Sequence, residues 1–204
     1  AVSQTSIKRM LAYSSVAQAG YLLIALPVAT QYAVAGGLFH ILTHAFMKSG
    51  AFMVVAAMGA VALGEKLEDF KGLNRRSPFL AIVMTLFLLS LAGIPPLAGF
   101  ASKFVLFSSA VYQSFEPGEG WLIWLAIAGV LNSALSLYYY ARVIKYMYMA
   151  KGASEERIKV PPMLAVSIVF AVVMVIGIGL FPEPFIDTCI TAAERFTDLP
   201  LGWR

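Results

Sequence analysis

Charge is scarce in this 204-residue chain. Only 13% of its residues are Asp, Glu, Lys or Arg, against ~25% in an ordinary soluble domain. There is one cysteine, Cys189, which excludes a disulfide framework and a cysteine-rich metal centre. Period-2 alternation bounded by turns is absent, so a transmembrane β-barrel is not expected. What fills the chain is apolar: 60% of residues are hydrophobic and the mean hydropathy is +0.80. A water-soluble domain of this size could not hide that much apolar surface, because its outside must face water. A soluble enzyme, a disordered chain and a nucleic-acid binder are excluded. The net charge of +4 does not reopen the last of these, since most of the 15 Lys and Arg stand at the ends of apolar runs.

A membrane-crossing helix needs ~20 mostly apolar residues. Five runs qualify, over about 10–29, 33–63, 79–113, 121–149 and 161–181, joined by short polar linkers. The expected fold is all-α, a polytopic transmembrane bundle forming one membrane domain. The tail over 183–196 sets Phe185, Ile186, Ile190 and Ala193 among charges, which predicts an amphipathic helix on one membrane face. The third run is interrupted near 93–98. Its halves, ~14 and ~15 residues long, each fall short of the ~17-residue minimum for a crossing, so length favours one broken span over a hairpin. Charge sorting agrees. Five crossings put 11 Lys and Arg on one side and two on the other, leaving Lys48 and Lys103 inside; a hairpin gives only 8 against 5. The positive-inside rule prefers the sharper asymmetry and puts Ala1 in the cytoplasm and Arg204 outside.

Gly93, Pro95, Pro96 and Gly99 form the break. Proline lacks an N–H, so Pro95 and Pro96 leave the Leu91 and Ala92 carbonyls without helical partners. In a bilayer such a break is tolerated only where protein or a hydrated cavity satisfies the freed groups, and broken helices often mark ion sites in transporters. Lys103 follows about one turn into the second half, where that half-helix turns its positive pole toward it. An amine held there can take up and release a proton. A lysine snorkelling to the interface, or a kink without function, are the plainer readings.

His40, His44 and Lys48, at i, i+4 and i+8, share one face of the second span. Intramembrane ionisable groups usually face a bundle interior or a hydrated path, and histidine relays protons near neutral pH. The face reads as a proton wire ~12 Å long. His-x-x-x-His also matches helical metal-ligand spacing, but no Asp or Glu lies within any span to complete a site, and no metal is expected. Helix packing is the bland alternative. Asn132 reads as interhelical glue, Tyr138, Tyr139 and Tyr140 as an interfacial aromatic belt, and Arg142 and Lys145 as anchors. Asp69, Lys71 and Arg75 read as a solvated linker surface.

Three segments carry a resemblance: Ser6-Ile7-Lys8-Arg9-Met10-Leu11-Ala12-Tyr13-Ser14-Ser15, then His40-Ile41-Leu42-Thr43-His44-Ala45-Phe46-Met47-Lys48, then Gly93-Ile94-Pro95-Pro96-Leu97-Ala98-Gly99-Phe100-Ala101-Ser102-Lys103-Phe104. Together they resemble the antiporter-like membrane subunits of respiratory complex I, most of all subunit N, the NADH dehydrogenase subunit 2 type. The resemblance covers nearly the whole chain. It implies about fourteen helices in a complete member, with two inverted five-helix repeats, of which these spans are the last five. Lys103 then matches the lysine of the second broken helix, and His40, His44 and Lys48 the polar positions of the helix before it. The start at Ala1 rather than Met points to the C-terminal part of a larger subunit.

The implied function is proton translocation along a Lys/His axis in a complex I-type oxidoreductase using NADH, coenzyme F420 or ferredoxin and a quinone. The chain would be a non-redox subunit of a translocase, with no cofactor of its own, in a multi-pass position in the inner or plasma membrane. Its expected partners are the other membrane subunits, the lipid bilayer and protons or sodium ions. A multisubunit Mrp-type cation/proton antiporter and a membrane-bound hydrogenase carry the same motifs and are the alternatives.

Overall fold

The computed structural model describes residues 1–60, 64–152 and 157–197, and among them it is helical with no strand. Helix α1, Ile7–Leu22, starts where the Ser6 hydroxyl accepts from the Arg9 N–H at 3.3 Å, satisfying one of the free donors of the first turn. The first span, Ile7–Val28, is interrupted near its end. A short helix α2, Ala25–Val28, follows a break at Leu23 and Ile24. Pro27 is the reason: it has no N–H for the Leu23 carbonyl, which accepts from Leu26 N at 3.3 Å instead.

Helix α3, Gln31–Ala60, is 30 residues long and central to the bundle. Residues 61–63 of the expected second span lie outside the described residues. A 3₁₀ turn, Leu67–Phe70, and a short helix α4, Leu73–Arg76, lead to α5, Pro78–Ala92. The linker is only partly a solvated surface: Arg76 is buried and donates to the Asp69 carbonyl at 3.4 Å. Helix α5 begins with Pro78 in its first turn, where no N–H is missed, and ends at Gly93, whose φ of 90° suits a residue without Cβ. Helix α6 is Ala98–Gln113; the Pro95–Pro96 bond in the intervening turn is cis.

Contacts along α3 decide how α5 and α6 are related. Gly50 meets Phe87 of α5, and Met47 meets Ser90. His40 meets Ser102 of α6, and Gly36 meets Leu106. From Gly50 to Gly36 is 14 residues, ~21 Å of helix. A hairpin would bring Phe87 and Leu106 to one level. Instead the two half-helices lie in line and make one broken span. The close approach at the break needs Gly99: a Cβ there would stand 1.8 Å from the Ser90 carbonyl oxygen.

Helix α7, Ile123–Met149, and α8, Pro162–Leu180, complete the spans, and α9, Glu183–Thr197, ends the described chain. Four segments are long and apolar enough to cross a bilayer: Ile7–Val28, Gln31–Gly59, Gly120–Met149 and Pro162–Leu180. The α5–α6 pair supplies the fifth. Outward residues of α7 and α8 such as Trp124, Leu131, Val166 and Val173 are exposed, as a lipid-facing surface requires. Helix α9 packs on α3 through buried Cys189 and Ala193, and Gln31 Nε2 at the start of α3 donates to Glu194 Oε1 at 3.1 Å.

Candidate functional site at the helix break

The two prolines release two carbonyls in a dry interior, where each must find a donor. Both find Lys103. Its Nζ donates to Leu91 O at 2.8 Å, to Ala92 O at 3.3 Å and to Ser133 Oγ of α7 at 2.8 Å. Lys103 is 4% exposed, so it does not snorkel. Three acceptors match the three N–H groups of an ammonium. The side chain leans back toward the N-terminus of its own helix, as helical side chains do, and so reaches the end of α5. Here the sequence reading needs correction. It placed the amine at the positive pole of α6, whereas Nζ sits on the last carbonyls of α5, the negative pole of the other half-helix. Those carbonyls and Ser133 supply the counter-charge that no carboxylate supplies.

Other helices complete the setting. Gln18 of α1 donates Nε2 to Leu91 O at 3.2 Å, and Ser133 donates to Ala92 O at 2.9 Å. The Tyr21 ring lies 5.0 Å from Lys103 Nζ, a cation–π contact, and its hydroxyl accepts from Asn132 Nδ2 at 3.1 Å. Asn132 thus joins α7 to α1. The Ser90 hydroxyl accepts from Gly99 N at 3.1 Å and ties the two half-helices together.

His40 is fully buried, and its Nδ1 lies 3.0 Å from Ser102 Oγ, one residue before Lys103. His40 and His44 stack with ring centroids 6.2 Å apart and planes 13° apart. Lys48, 7% exposed, donates to Ser14 Oγ of α1. The three residues do share one inward face. Among the described residues, however, no hydrogen bond joins His40 to His44 or His44 to Lys48, and Nε2 of both histidines is buried without a partner. The face touches the break through Ser102 and Tyr21, which is edge-on to His40 at 6.1 Å. No group of three or more His, Cys, Asp or Glu that could hold a metal occurs among the described residues.

Sequence reasoning missed the stripe on α1. Ser14, Gln18 and Tyr21 stand at i, i+4 and i+7, and each touches a part of the site: Lys48, Leu91 and Lys103. Polar residues at helical spacing inside an apolar run were the available signal. Of the three tyrosines read as an aromatic belt, Tyr138 is exposed. Tyr139 and Tyr140 are buried, because a helix turns ~100° per residue and carries successive side chains from lipid to interior. Arg142, read as an anchor, donates to Val2 O at 3.1 Å. Beside the break, between α6 and α7, lies a cavity of about 690 Å³ with Lys103, Gly93 and Ser133 on one wall and Phe104, Phe107 and Val130 among its apolar lining.

An all-α membrane bundle with a proline-broken span and a lysine bound to the broken end defines an antiporter-like transmembrane subunit. The family model described as "NADH:quinone oxidoreductase/Mrp antiporter, TM" matches residues 1–136, and the chain belongs to that family. It is 47% identical over 203 residues to the F(420)H(2) dehydrogenase subunit N of Methanosarcina mazei, covering 95% of this chain and 40% of that protein. It is 40% identical over 194 residues to the NADH-quinone oxidoreductase subunit N of Heliobacterium modesticaldum, with 95% and 40% covered. A chain of the respiratory complex I from Thermus thermophilus aligns with a TM-score of 0.70 at 30% identity, covering 91% of this chain and 40% of that one. The chain therefore spans about two fifths of the length of the relatives it matches.

Proposed function

We propose that this chain forms the lysine end of a proton path in a subunit N-type membrane protein of a complex I-like oxidoreductase, driven by electron transfer in other subunits. The observation that carries the reading is Lys103, held at the helix break by the Leu91 and Ala92 carbonyls and Ser133. An ammonium with three acceptors and no carboxylate is a charge kept by dipoles, which a proton can leave without breaking an ion pair. When Nζ gives up one proton it becomes an amine with two N–H groups and a lone pair, ready to accept another. His40, adjacent through Ser102 and Tyr21, and then His44 and Lys48 continue the path, with water bridging the gaps between them. The chain supplies no redox step and no cofactor in this reading, and NADH, F420H2 or reduced ferredoxin acts elsewhere in the complex. Its neighbours are other membrane subunits in the plasma or inner membrane, with Ala1 cytoplasmic and the far end of the chain outside.

The relatives named as F(420)H(2) dehydrogenase and NADH-quinone oxidoreductase subunits favour this over the Mrp antiporter that shares the family name. The test is Lys103→Ala and Lys103→Arg in the full-length subunit within its complex, with proton transport and electron transfer measured separately. Lys103→Ala is expected to abolish transport through this subunit, and so is Lys103→Arg, because guanidinium keeps the charge but does not release its proton. Normal coupled transport by an assembled Lys103→Ala complex overturns the reading. Sodium-dependent transport without redox turnover would favour the antiporter instead.

A further inference from the structure

Each carbonyl released by the prolines has two donors, one that titrates and one that does not. Leu91 O is held by Lys103 at 2.8 Å and by Gln18 at 3.2 Å. Ala92 O is held by Lys103 at 3.3 Å and by Ser133 at 2.9 Å. The neutral donors come from different helices, α1 and α7. A lysine that held both carbonyls alone could not turn away without orphaning buried acceptors, which a dry interior penalises heavily.

We propose that Gln18 and Ser133 are positioning residues that keep the proline-freed carbonyls hydrogen-bonded when Lys103 swings away, so that the lysine is free to move between proton donor and acceptor. The proposal rests on the proton-path reading above. The state of Gln18 supports it. The side chain is 1% exposed, and its Nε2 donates to Leu91 O from a different helix than the one that carries Lys103. Ser133 has the complementary form: one hydroxyl accepts from Lys103 and donates to Ala92 O, so it marks where Nζ returns. The inward-facing titratable groups on the helices around Lys103 are Tyr21 on α1, His40, His44 and Lys48 on α3, and Tyr139 and Tyr140 on α7. None is a carboxylate, and α5 and α8 carry no titratable side chain.

The experiment uses the full-length subunit in its membrane complex. Gln18→Met removes one neutral donor at nearly constant shape, Ser133→Ala removes the other, and Ser133→Thr keeps the hydroxyl. Proton uptake into sealed inverted vesicles and electron transfer are followed across pH. Both donor-less variants are expected to pump on the order of tenfold more slowly at neutral pH, the factor carried by one buried hydrogen bond. Electron transfer measured with an uncoupler stays at the parent rate, because neither donor touches a redox step. Ser133→Thr keeps the parent pumping rate. An unchanged pumping rate in assembled Gln18→Met and Ser133→Ala overturns the proposal, as does a slowing in Ser133→Thr equal to that of Ser133→Ala. If Gln18→Met does not assemble, Ser133→Ala and Ser133→Thr decide alone. Lys103→Ala in the same assay separates the two failures. Normal pumping there sinks the proton-path reading itself; lost pumping there with Gln18→Met at the parent rate sinks only the positioning role.

Discussion

At the scale of single residues, the site depends on what a side chain meets a turn away in space. Lys48 is anchored to Ser14 of α1, and His44 stacks on His40 without a hydrogen bond to it. Removing both His44 and Lys48 should therefore slow proton transport while sparing electron transfer measured with an uncoupler. If His44→Ala with Lys48→Ala instead strips a bound metal from the purified complex, the ligand reading of the pair stands. Gly99 is a packing counterpart. Its missing Cβ lets α6 pass the Ser90 carbonyl, and a methyl group 1.8 Å from that oxygen forces the backbones apart. Gly99→Ala should cost ~3 kcal/mol, at the upper end of overpacking, and show as a drop in assembled complex on a detergent melting curve. Of this scale, Lys103, His40, His44 and Lys48 were legible, because an ionisable residue inside an apolar run stands out without any structure. Gln18, Ser133 and Ser102 were not. A neutral polar residue in a span is common glue, and only its neighbours in space give it a task.

At the scale of elements, the informative unit is the broken span. Pro95 and Pro96 act twice: they stop α5, and they hand Lys103 its acceptors. Replacing both with alanine restores two N–H donors, so the Leu91 and Ala92 carbonyls can close a continuous helix. The double variant is expected to insert and assemble yet lose coupled proton transport, read as intact electron transfer with an uncoupler and no proton uptake. Retained pumping would show that the break is not needed. The break was legible as a proline pair in an apolar run, and the orphaned carbonyls followed from covalent structure alone. The polarity was not. Which pole of which half-helix the amine meets depends on the back-directed lean of the lysine side chain and on α5 ending beside α6. The shorter break in the first span was also missed, since Pro27 near the end of a run looks like a terminus rather than an interruption.

At the scale of the whole molecule, the five spans imply that successive linkers lie on alternate membrane faces. Cysteines placed at Glu68 and at Glu116, both exposed, should label from opposite sides of sealed vesicles with a membrane-impermeant maleimide. The native Cys189 interferes little, being 7% exposed, with burial pushing its thiol up and away from thiolate. Cys189→Ser gives a clean background. Labelling of both sites from one face would contradict the single broken span and require the hairpin.

Sequence by itself determined that this is a helical membrane bundle, roughly where its spans run and which charges lie inside them. These follow from the cost of exposing backbone and charge to lipid, which acts on each segment independently of the others. Tertiary structure alone decided that the two half-helices run in line along α3, that Lys103 answers the carbonyls of the other half-helix, and that Gln18 and Ser133 share those carbonyls. Hydrogen bonds between helices join residues as far apart as Gln18 and Leu91, 73 positions along the chain. No local pattern encodes such a pairing; it exists only once the helices have packed.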